Sequence, residues 1–278
     1  MNKAVALLDR IGSLPACKQA ASQLANTIRT RSARLVCSLE LAMNRLIAGW
    51  ALFMLMAGGV KVLSAQPESA PQAALLLLPY LLIAGAPIAG FRIATASFPR
   101  GMLTAPLELR LSRYGTWRAL DPISARDNPA FGPIGFMASL LVGILLNVPT
   151  RTLEYLVAVP AVSTSAPQWA QTYFAVMSAD VIVMNFFYMV CFVLALRTNP
   201  LFPRMLLFAW VFDLMMQLLI AHRLSLATDL PGDIVQPLIT LLNGNIVKVL
   251  ISGVVWLPYL ILSERVNVTY RSRTMLPV

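Results

Sequence analysis

Four ionisable side chains lie inside long apolar stretches of the sequence, where charges are rare. They are Lys61, Asp180, Asp213 and Lys248. A charge in the hydrocarbon core of a membrane is costly, and it usually faces other protein groups or a path for ions or solutes. A carboxylate in such a place can take up and release a proton, and a carboxylate beside an ammonium group can form a buried ion pair. These four residues are therefore the first candidates for a functional site.

The four charges fall in one layer of the predicted membrane spans. Counted from the predicted inner end of each stretch at about 1.5 Å per residue, they lie between about 16 and about 24 Å deep. Amide side chains fall in or near the same layer, and Gln217 lies one helical turn from Asp213, on the same helix face. The predicted polar layer comprises Lys61, Asn147, Asp180, Asn185, Asp213, Gln217, Asn243, Asn245 and Lys248.

Two interpretations of this layer remain open. In the structural one, Asp213 and Lys248 form an ion pair across the antiparallel fifth and sixth spans, and replacing Lys248 with Met destabilises the bundle by roughly 3 to 5 kcal/mol. Lys61 then reaches the outer interface, Asp180 is hydrated at its helix end, and the asparagines hydrogen-bond between helices. In the other interpretation, the layer is a proton or solute path that opens to the outer face and uses Asp180, Asp213 and Lys248.

The composition explains why these charges stand out, because the chain as a whole is strongly apolar. Of its 278 residues 58% are hydrophobic and 12% are charged, and the mean hydropathy is +0.71. A helix needs about 20 apolar residues to cross a bilayer. Six stretches are long enough, and they predict an all-α, polytopic bundle of transmembrane helices. The predicted spans are residues 46–63, 73–91, 131–148, 173–196, 202–221 and about 238–262.

The distribution of basic residues predicts the orientation, because Lys and Arg collect in cytoplasmic loops. With both termini inside, 18 of the 22 Lys and Arg lie on the cytoplasmic side. Arg151, Glu154 and Arg223 then lie in outer loops. The net charge of +10 reflects this topology. It does not indicate nucleic-acid binding, because the arginines are spread over four segments and form no single stripe with interleaved aromatic residues.

The last apolar span ends directly in a basic tail. Trp256 and Tyr259 stand where the membrane interface is expected, and Arg265, Arg271 and Arg273 follow them. Aromatic side chains favour the interface, and each basic residue near anionic headgroups contributes about 1 kcal/mol. We therefore predict that these five residues anchor the chain at the inner surface, with anionic lipid headgroups as partners.

On this interpretation the chain has four segments. A basic arm, residues 1–45, contains an amphipathic helix at 19–44, which either lies on the inner leaflet or packs on the protein's own cytoplasmic loops. A two-span hairpin, residues 46–91, leads to a cytoplasmic loop, residues 92–130, in which residues 106–120 are expected to form a short interfacial helix. A four-span unit with a basic tail, residues 131–278, completes the chain.

The four-span unit carries a pattern of its own. The pattern comprises Gly135 and Phe136, "NPLFPRM" at residues 199–205, and Trp256, Pro258, Tyr259, Ser263, Arg265, Val266 and Thr269. Over about residues 131–273 it resembles a family of small bacterial inner-membrane proteins that is known only as a domain of unknown function. The family usually has Gly-Trp where Gly135 and Phe136 stand. The resemblance implies a four-helix unit in a bacterial cytoplasmic membrane, and it assigns no catalytic residue.

Motifs for catalysis are missing from the sequence. It has no Gly-rich phosphate loop, no Ser-x-x-Lys and no His-Glu-x-x-His, and its three cysteines and one histidine form no set with metal-ligand spacing. We therefore expect a non-enzymatic protein without metal or cofactor. It would be an accessory or scaffold component of a membrane complex, bound to another membrane protein or to a second copy of itself, or a lipid-interacting protein. The alternative is a small proton- or solute-coupled transporter that uses the polar layer.

Overall fold

Long helices dominate the part of the chain that the structure describes. This computed structural model describes residues 15–99, 115–162, 166–226 and 231–276. The helices are α1 (Pro15–Ser64), α2 (Ala70–Ser97), α3 (Pro122–Asp127), α4 (Phe136–Ala158), α5 (Gln168–Leu196), α6 (Phe202–Ser225), α7 (Gly232–Leu262) and α8 (Glu264–Arg271), and the two strands are β1 (Trp117–Ala119) and β2 (Arg273–Met275). Six helices, α1, α2 and α4 to α7, are long and apolar enough to cross a membrane. The prediction of an all-α bundle with six spans is confirmed.

The bundle has two ends, because successive long helices run antiparallel. At the α8 end, the hydroxyl of Tyr270 in α8 donates to the carbonyl of Ala195 in the last turn of α5, at 2.9 Å. At the opposite end, Lys61 in the last turn of α1 donates to the carbonyl of Val159, directly after α4, at 3.1 Å. Which end faces the cytoplasm stays a prediction.

The third span differs from its predicted bounds. It was predicted at residues 131–148, and α4 instead runs from Phe136 to Ala158 with Pro149 inside it. Proline is tolerated within membrane helices, because neighbouring groups can satisfy the freed backbone carbonyl. Arg151 and Glu154 therefore belong to the span, and their assignment to an outer loop was wrong. Because Arg151 and Glu154 carry opposite charges, moving both from the outer loop into the membrane changes the net charge of neither the outer face nor the membrane layer.

The first span continues directly from the basic arm. α1 is one helix of 50 residues that passes through position 45 without a break. The hydroxyl of Ser32 accepts a hydrogen bond at 2.8 Å from the backbone N–H of Gly135, just before α4, and Met43 is 4% exposed within the apolar core. Ile28 and Leu35 of the same segment are exposed, so both placements expected for residues 19–44 stay predictions. Residues 1–14 lie outside the described part.

Two apolar clusters flank the predicted polar layer. One lies toward the α8 end and includes Met137, Phe192 and Leu206. The other lies toward the opposite end and includes Tyr80 and Ile83. On α4, Arg151 lies between Val148 of the first cluster and Tyr155 of the second, and on α6, Asp213 lies between Trp210 and Ile220. On α5, Asp180 lies within the second cluster, between Met177 and Val181. Apolar packing therefore flanks the charged residues along the bundle.

The closest packing in the bundle brings α2 against α5 at Gly90. A Cβ atom added at Gly90 would lie 2.8 Å from the backbone carbonyl oxygen of Phe186, whereas one added at Gly85, on the same helix, would meet no atom within 4 Å. We expect Gly90→Ala to lower the free energy of unfolding by about 1 to 3 kcal/mol. Gly85→Ala, the matched control, should be neutral or slightly stabilising, because Ala favours helix.

Thermal unfolding of both glycine variants in detergent checks this prediction. The expected result is a lower melting temperature for Gly90→Ala alone. Equal melting temperatures for Gly90→Ala and the wild type would show that α2 and α5 are not in such close contact.

The helix α8 and the strand β2 form a cap at the α8 end of the bundle. The buried side-chain amide of Asn267 joins this cap to the end of α7. The Nδ2 of Asn267 donates to two carbonyls around the end of α7, both at 2.9 Å. Its Oδ1 accepts from Arg271 Nη1 and Arg273 Nε, both at 2.8 Å. Asn267 is fully buried, and so is Tyr270, which ties the cap to α5. Burial raises the pKa of the Tyr270 hydroxyl well above its usual value, so this donor stays protonated.

Two short strands extend the cap. β1 pairs antiparallel with β2, with Arg118 opposite Thr274. The guanidinium of Arg273 lies 4.9 Å from the ring centroid of Trp117. Residues 106–120 were predicted to form an interfacial helix. That prediction is wrong at Trp117–Ala119, which is strand, and residues 106–114 lie outside the described part.

The three arginines predicted as membrane anchors all bind the protein itself. Arg265 Nη1 donates to the carbonyl of Ala130 at 3.1 Å, and Arg271 Nη1 donates to a carbonyl at the end of α7 at 2.9 Å. Arg273 is only 4% exposed, so it is not available to lipid headgroups and its anchoring role was wrongly predicted. Burial lowers the pKa of Arg271 to about 10, and the charges of Arg273 and Arg204 add to this effect. Arg271 still carries its charge at neutral pH.

Candidate functional site

A buried cluster of one arginine and two aspartates lies between α4, α5 and α6. The Nη1 and Nη2 atoms of Arg151 donate to the two carboxylate oxygens of Asp213, both at 2.8 Å. Nη2 also lies 2.9 and 2.8 Å from the two oxygens of Asp180. Arg151 is 9% exposed, Asp180 1% and Asp213 0%. Arginine suits this arrangement, because its planar fork can bind one carboxylate with two hydrogen bonds and still reach a second.

The cluster lies deep within the spans. At about 1.5 Å per residue, Arg151 is about 22 Å from the start of α4 and about 10 Å from its end. On the same scale Asp180 is about 18 Å from the start of α5, and Asp213 about 16 Å from the start of α6. All three positions are far enough from the helix ends to lie inside a hydrocarbon core of about 30 Å.

Neutral side chains complete the hydrogen bonds of the carboxylates. The hydroxyl of Tyr188 donates to Asp213 Oδ2 at 2.8 Å. The Nε2 of Gln217 lies 3.2 Å from Asp180 Oδ1 and 3.4 Å from Asp213 Oδ1. The Oε1 of Gln217 accepts from Asn245 Nδ2 at 3.3 Å. The network therefore joins α4, α5, α6 and α7 in one layer, as the structural interpretation of the asparagines expects.

The cluster contains more acidic groups than basic ones, with two carboxylates and one guanidinium. When both carboxylates are ionised, one guanidinium faces two of them and one negative charge is uncompensated. The two lysines of the predicted layer are engaged elsewhere, Lys61 with the carbonyl of Val159 and Lys248 with Glu154. An uncompensated charge is costly at this depth, so the cluster favours the binding of one proton or one other cation.

The predicted ion pair between Asp213 and Lys248 is wrong. Lys248 pairs with Glu154 instead, and the side chains of these two residues are 56% and 34% exposed. The expected loss of 3 to 5 kcal/mol in Lys248→Met applied to a buried pair. The pair of Lys248 with Glu154 is only partly enclosed by protein, so we expect a smaller loss from this variant. Asp213 takes Arg151 as its partner, because Arg151 belongs to α4 and not to a loop.

A cleft of about 280 Å³ opens next to the cluster, between α4 and α7. One wall is a face of α4 that carries Asn147, Arg151 and Glu154. Tyr188, Trp210 and Asp213 form the floor. The volume is at the lower limit of ligand sites, about 300 Å³, so the cleft fits a small solute. The facing wall on α7 comprises Asn245, Lys248, Val249, Ser252 and Trp256.

Two contacts cross the cleft, one toward each end. The Glu154–Lys248 pair joins α4 to α7 toward the opposite end. Toward the α8 end, the ring centroid of Phe136 on α4 lies 4.8 Å from that of Trp256 and 5.0 Å from that of Tyr259, both on α7. Trp256 and Tyr259, which were predicted as interfacial anchors, therefore also close one end of the cleft. The solute-sized space lies between these two contacts.

The other predicted polar residues take different places. Asp180 is not hydrated at a helix end, as one interpretation expected, because it is buried in the cluster. Lys61 satisfies a carbonyl at the end of α4, a favourable position for a cation at a helix C-terminus. Asn185 Nδ2 donates to Thr152 Oγ1 at 2.8 Å, between α5 and α4. Asn243 is exposed on α7 and does not join the network.

Two buried polar atoms next to the cluster lack hydrogen bonds within the described residues. They are Nε of Arg151 and Oδ1 of Asn185. Thr152 follows Arg151 in the chain and holds the other end of the Asn185 amide. Buried polar atoms are nearly always paired in proteins, with protein groups or with water. A free donor and a free acceptor beside the cluster therefore favour the entry of a water molecule or of a polar ligand.

Sequence reasoning missed Arg151, Glu154 and Tyr188 as site residues. Arg151 and Glu154 were assigned to a loop, because Pro149 and Thr150 look like the end of a span. A signal for the helix was present, since Asn147, Arg151 and Glu154 repeat at helical spacing of four and three residues. No such signal was present in the sequence for Tyr188. Tyrosine is common in membrane helices, and the hydrogen bond of Tyr188 to Asp213 depends on how the helices pack.

The six long apolar helices and the polar cluster between them define the class of the protein. It is a multi-pass α-helical membrane protein. Within the residues that the structure describes, no group of three or more His, Cys, Asp or Glu side chains could hold a metal ion. Comparisons of the chain with protein-family models, with curated proteins and with solved structures give no match.

Proposed function

We propose that this protein is a small proton-coupled transporter, with Asp180 and Asp213 as its proton site and the cleft between α4 and α7 as its solute site. The observation that carries the proposal is the sharing of one buried guanidinium, that of Arg151, by two buried carboxylates. A purely structural ion pair needs one carboxylate for one guanidinium. The second carboxylate gives the site a charge that a proton can cancel and restore.

Coupling between proton and solute follows from the position of Asp213. Its carboxylate belongs to the cluster, and it also forms part of the cleft floor. A proton on the cluster changes the charge that a solute in the cleft meets, and a solute changes the affinity of the cluster for the proton by the same factor. The charged and titratable groups around the site are Arg151 and Glu154 on α4, Asp180 and Tyr188 on α5, Asp213 on α6 and Lys248 on α7.

The cleft can open by a movement of α7. In its most apolar window only 11% of α7 is buried, against 67% of α5, and its main neighbour is α6. The Glu154–Lys248 pair is only partly enclosed by protein, so it can separate more easily than the pairs of the buried cluster. Separation of α4 from α7 toward either end would give access to the cleft from that side, which is the basis of alternating access.

The accessory or scaffold function stays a prediction. Exposed apolar residues on α1 and α7 are compatible with a protein partner, but every membrane bundle presents such residues to lipid. They therefore do not distinguish the two functions, whereas the uncompensated charge of the buried cluster favours proton exchange and is not needed in a scaffold.

Orientation and family are part of the proposal. The 18 basic residues support a cytoplasmic location of both termini and of the α8 end. The resemblance to the bacterial inner-membrane family stays a prediction, and two residues of its motif have a common role in this structure. Arg265 and Thr269 both bind the segment that leads into α4, through the carbonyl of Ala130 and the N–H of Gly132.

Proton movement in liposomes tests the transport function. The purified protein is reconstituted with a pH-sensitive dye inside, and a protein-free, low-molecular-weight cell extract is added outside. We expect an extract-dependent pH change with the wild type and none with Asp180→Asn or Asp213→Asn, because each variant cancels the extra charge. Asp127→Asn, an exposed position outside the spans, is the matched control and should behave as the wild type. Equal signals from the wild type and Asp180→Asn, or no signal from the wild type, contradict the proposal.

A further inference from the structure

A second cavity lies on the other side of α4, against α1 and α2. Its volume is about 580 Å³, and the side chains that line it are almost all apolar. Trp50 and Phe53 of α1, Pro87 of α2, and Leu145 and Pro149 of α4 are among them. This groove shares no residue with the charged cluster, and Leu146 of α4 is the one residue that lines both the groove and the cleft between α4 and α7.

The groove exists because small or interrupted positions meet there. Proline lacks a backbone N–H and its ring displaces the preceding turn, so Pro87 and Pro149 disturb the regular packing of α2 and α4. Gly49 of α1 also lines the groove, and a Cβ atom added at this position would meet no heavy atom within 4 Å. The space beside Gly49 is therefore open, and a larger side chain there would fill it without a clash.

One cation lies among the apolar residues that line this groove. Arg45 is exposed and directly precedes the apolar stretch at residues 46–63. Among the described residues, no acidic side chain pairs with Arg45. The lining follows α1 from Leu39 to Phe53, about 21 Å, and the part from Arg45 to Phe53 is about 12 Å long. One leaflet of the hydrocarbon core is about 15 Å deep, half of the full thickness of about 30 Å.

We propose that the groove binds one anionic phospholipid, with an acyl chain along α1, α2 and α4 and its phosphate at Arg45. The apolar lining, the length and the position of the single cation match a lipid that stands in the leaflet at the α8 end. A solute from water would find almost no polar partner in this groove. A protein helix would be too wide for it, since a helix with side chains is about 10 to 12 Å across.

Native mass spectrometry of the full-length protein tests this site. Phosphatidylglycerol and phosphatidylcholine are each titrated against the protein in detergent. We expect one high-affinity phosphatidylglycerol and a preference for it over phosphatidylcholine. Arg45→Gln should weaken phosphatidylglycerol about fivefold and abolish the preference, because one basic residue near the headgroup contributes about 1 kcal/mol. Gly49→Leu should weaken both lipids, because its side chain occupies the groove.

Two matched controls separate this site from lipid binding at the general surface. Arg92→Gln removes an exposed cation near the same end, on α2, and Gly59→Leu adds the same bulk at another open position of α1. Both should bind phosphatidylglycerol as the wild type does. An unchanged lipid preference in Arg45→Gln, or wild-type binding by a folded Gly49→Leu, overturns the proposal. Neither result depends on proton transport.

Discussion

Replacing Arg151 with Met is expected to lower the free energy of unfolding by at least about 3 to 5 kcal/mol, the usual cost of breaking a buried ion pair by removing one partner. The cost arises because Asp180 and Asp213 remain in a site with almost no exposure and lose four close contacts to one guanidinium group, whichever of them is protonated. Unfolding in detergent, followed by circular dichroism or by a thermal-shift dye, measures the loss.

Combined variants show whether charge is the cause. Arg151→Met together with Asp180→Asn and Asp213→Asn carries no buried charge in the cluster, so it should recover much of the lost stability. Lys248→Met is the matched single control, because the Glu154–Lys248 pair is only partly enclosed by protein and its loss should cost less than that of the buried cluster. If Lys248→Met proved as damaging as Arg151→Met, or if the triple variant were less stable than Arg151→Met, the cluster would not be the centre of charge in the bundle.

The Asp180→Asn variant is expected to keep its fold and lose its exchangeable proton completely. It leaves the bidentate pair of Arg151 with Asp213 intact and removes the uncompensated charge. We therefore expect its melting temperature to lie close to that of the wild type. Infrared difference spectroscopy across a pH step, with isotope-labelled aspartate, should detect one protonated carboxyl group in the wild type and none in Asp180→Asn.

Asp127→Asn again serves as the control, since this exposed aspartate is far from the cluster in sequence and outside the spans. Its infrared signal should match that of the wild type. A wild-type spectrum in which every intramembrane carboxyl group is ionised would mean that another cation, not a proton, balances the site.

Apolar length alone was enough to predict six spans and the placement of Asp180 and Asp213 inside them, although the bounds of the third span were wrong. The partner of each charge was not predictable in the same way. Asp213 and Lys248 lie at similar depths on neighbouring antiparallel helices, yet depth says nothing about the rotation of a helix about its axis. Rotation turns Asp213 toward α4 and Lys248 toward Glu154.

Local rules also failed at two other places. The third span was predicted to end at residue 148, although α4 continues for nine residues beyond Pro149, because neighbouring groups in the bundle can satisfy the carbonyl that proline leaves unpaired. The pairing of Trp117–Ala119 with Arg273–Met275 connects segments more than 150 residues apart, and three-residue strands carry no alternating pattern that would reveal them.

The length of α1 has a mechanical consequence. Its 50 residues extend about 75 Å as one rod, while the hydrocarbon core is only about 30 Å thick. Part of α1 therefore extends beyond the membrane, and in this part the hydroxyl of Ser32 accepts a hydrogen bond from the N–H of Gly135, just before α4. A movement of this part of α1 would thus be passed to α4, the helix that separates the charged cleft from the apolar groove.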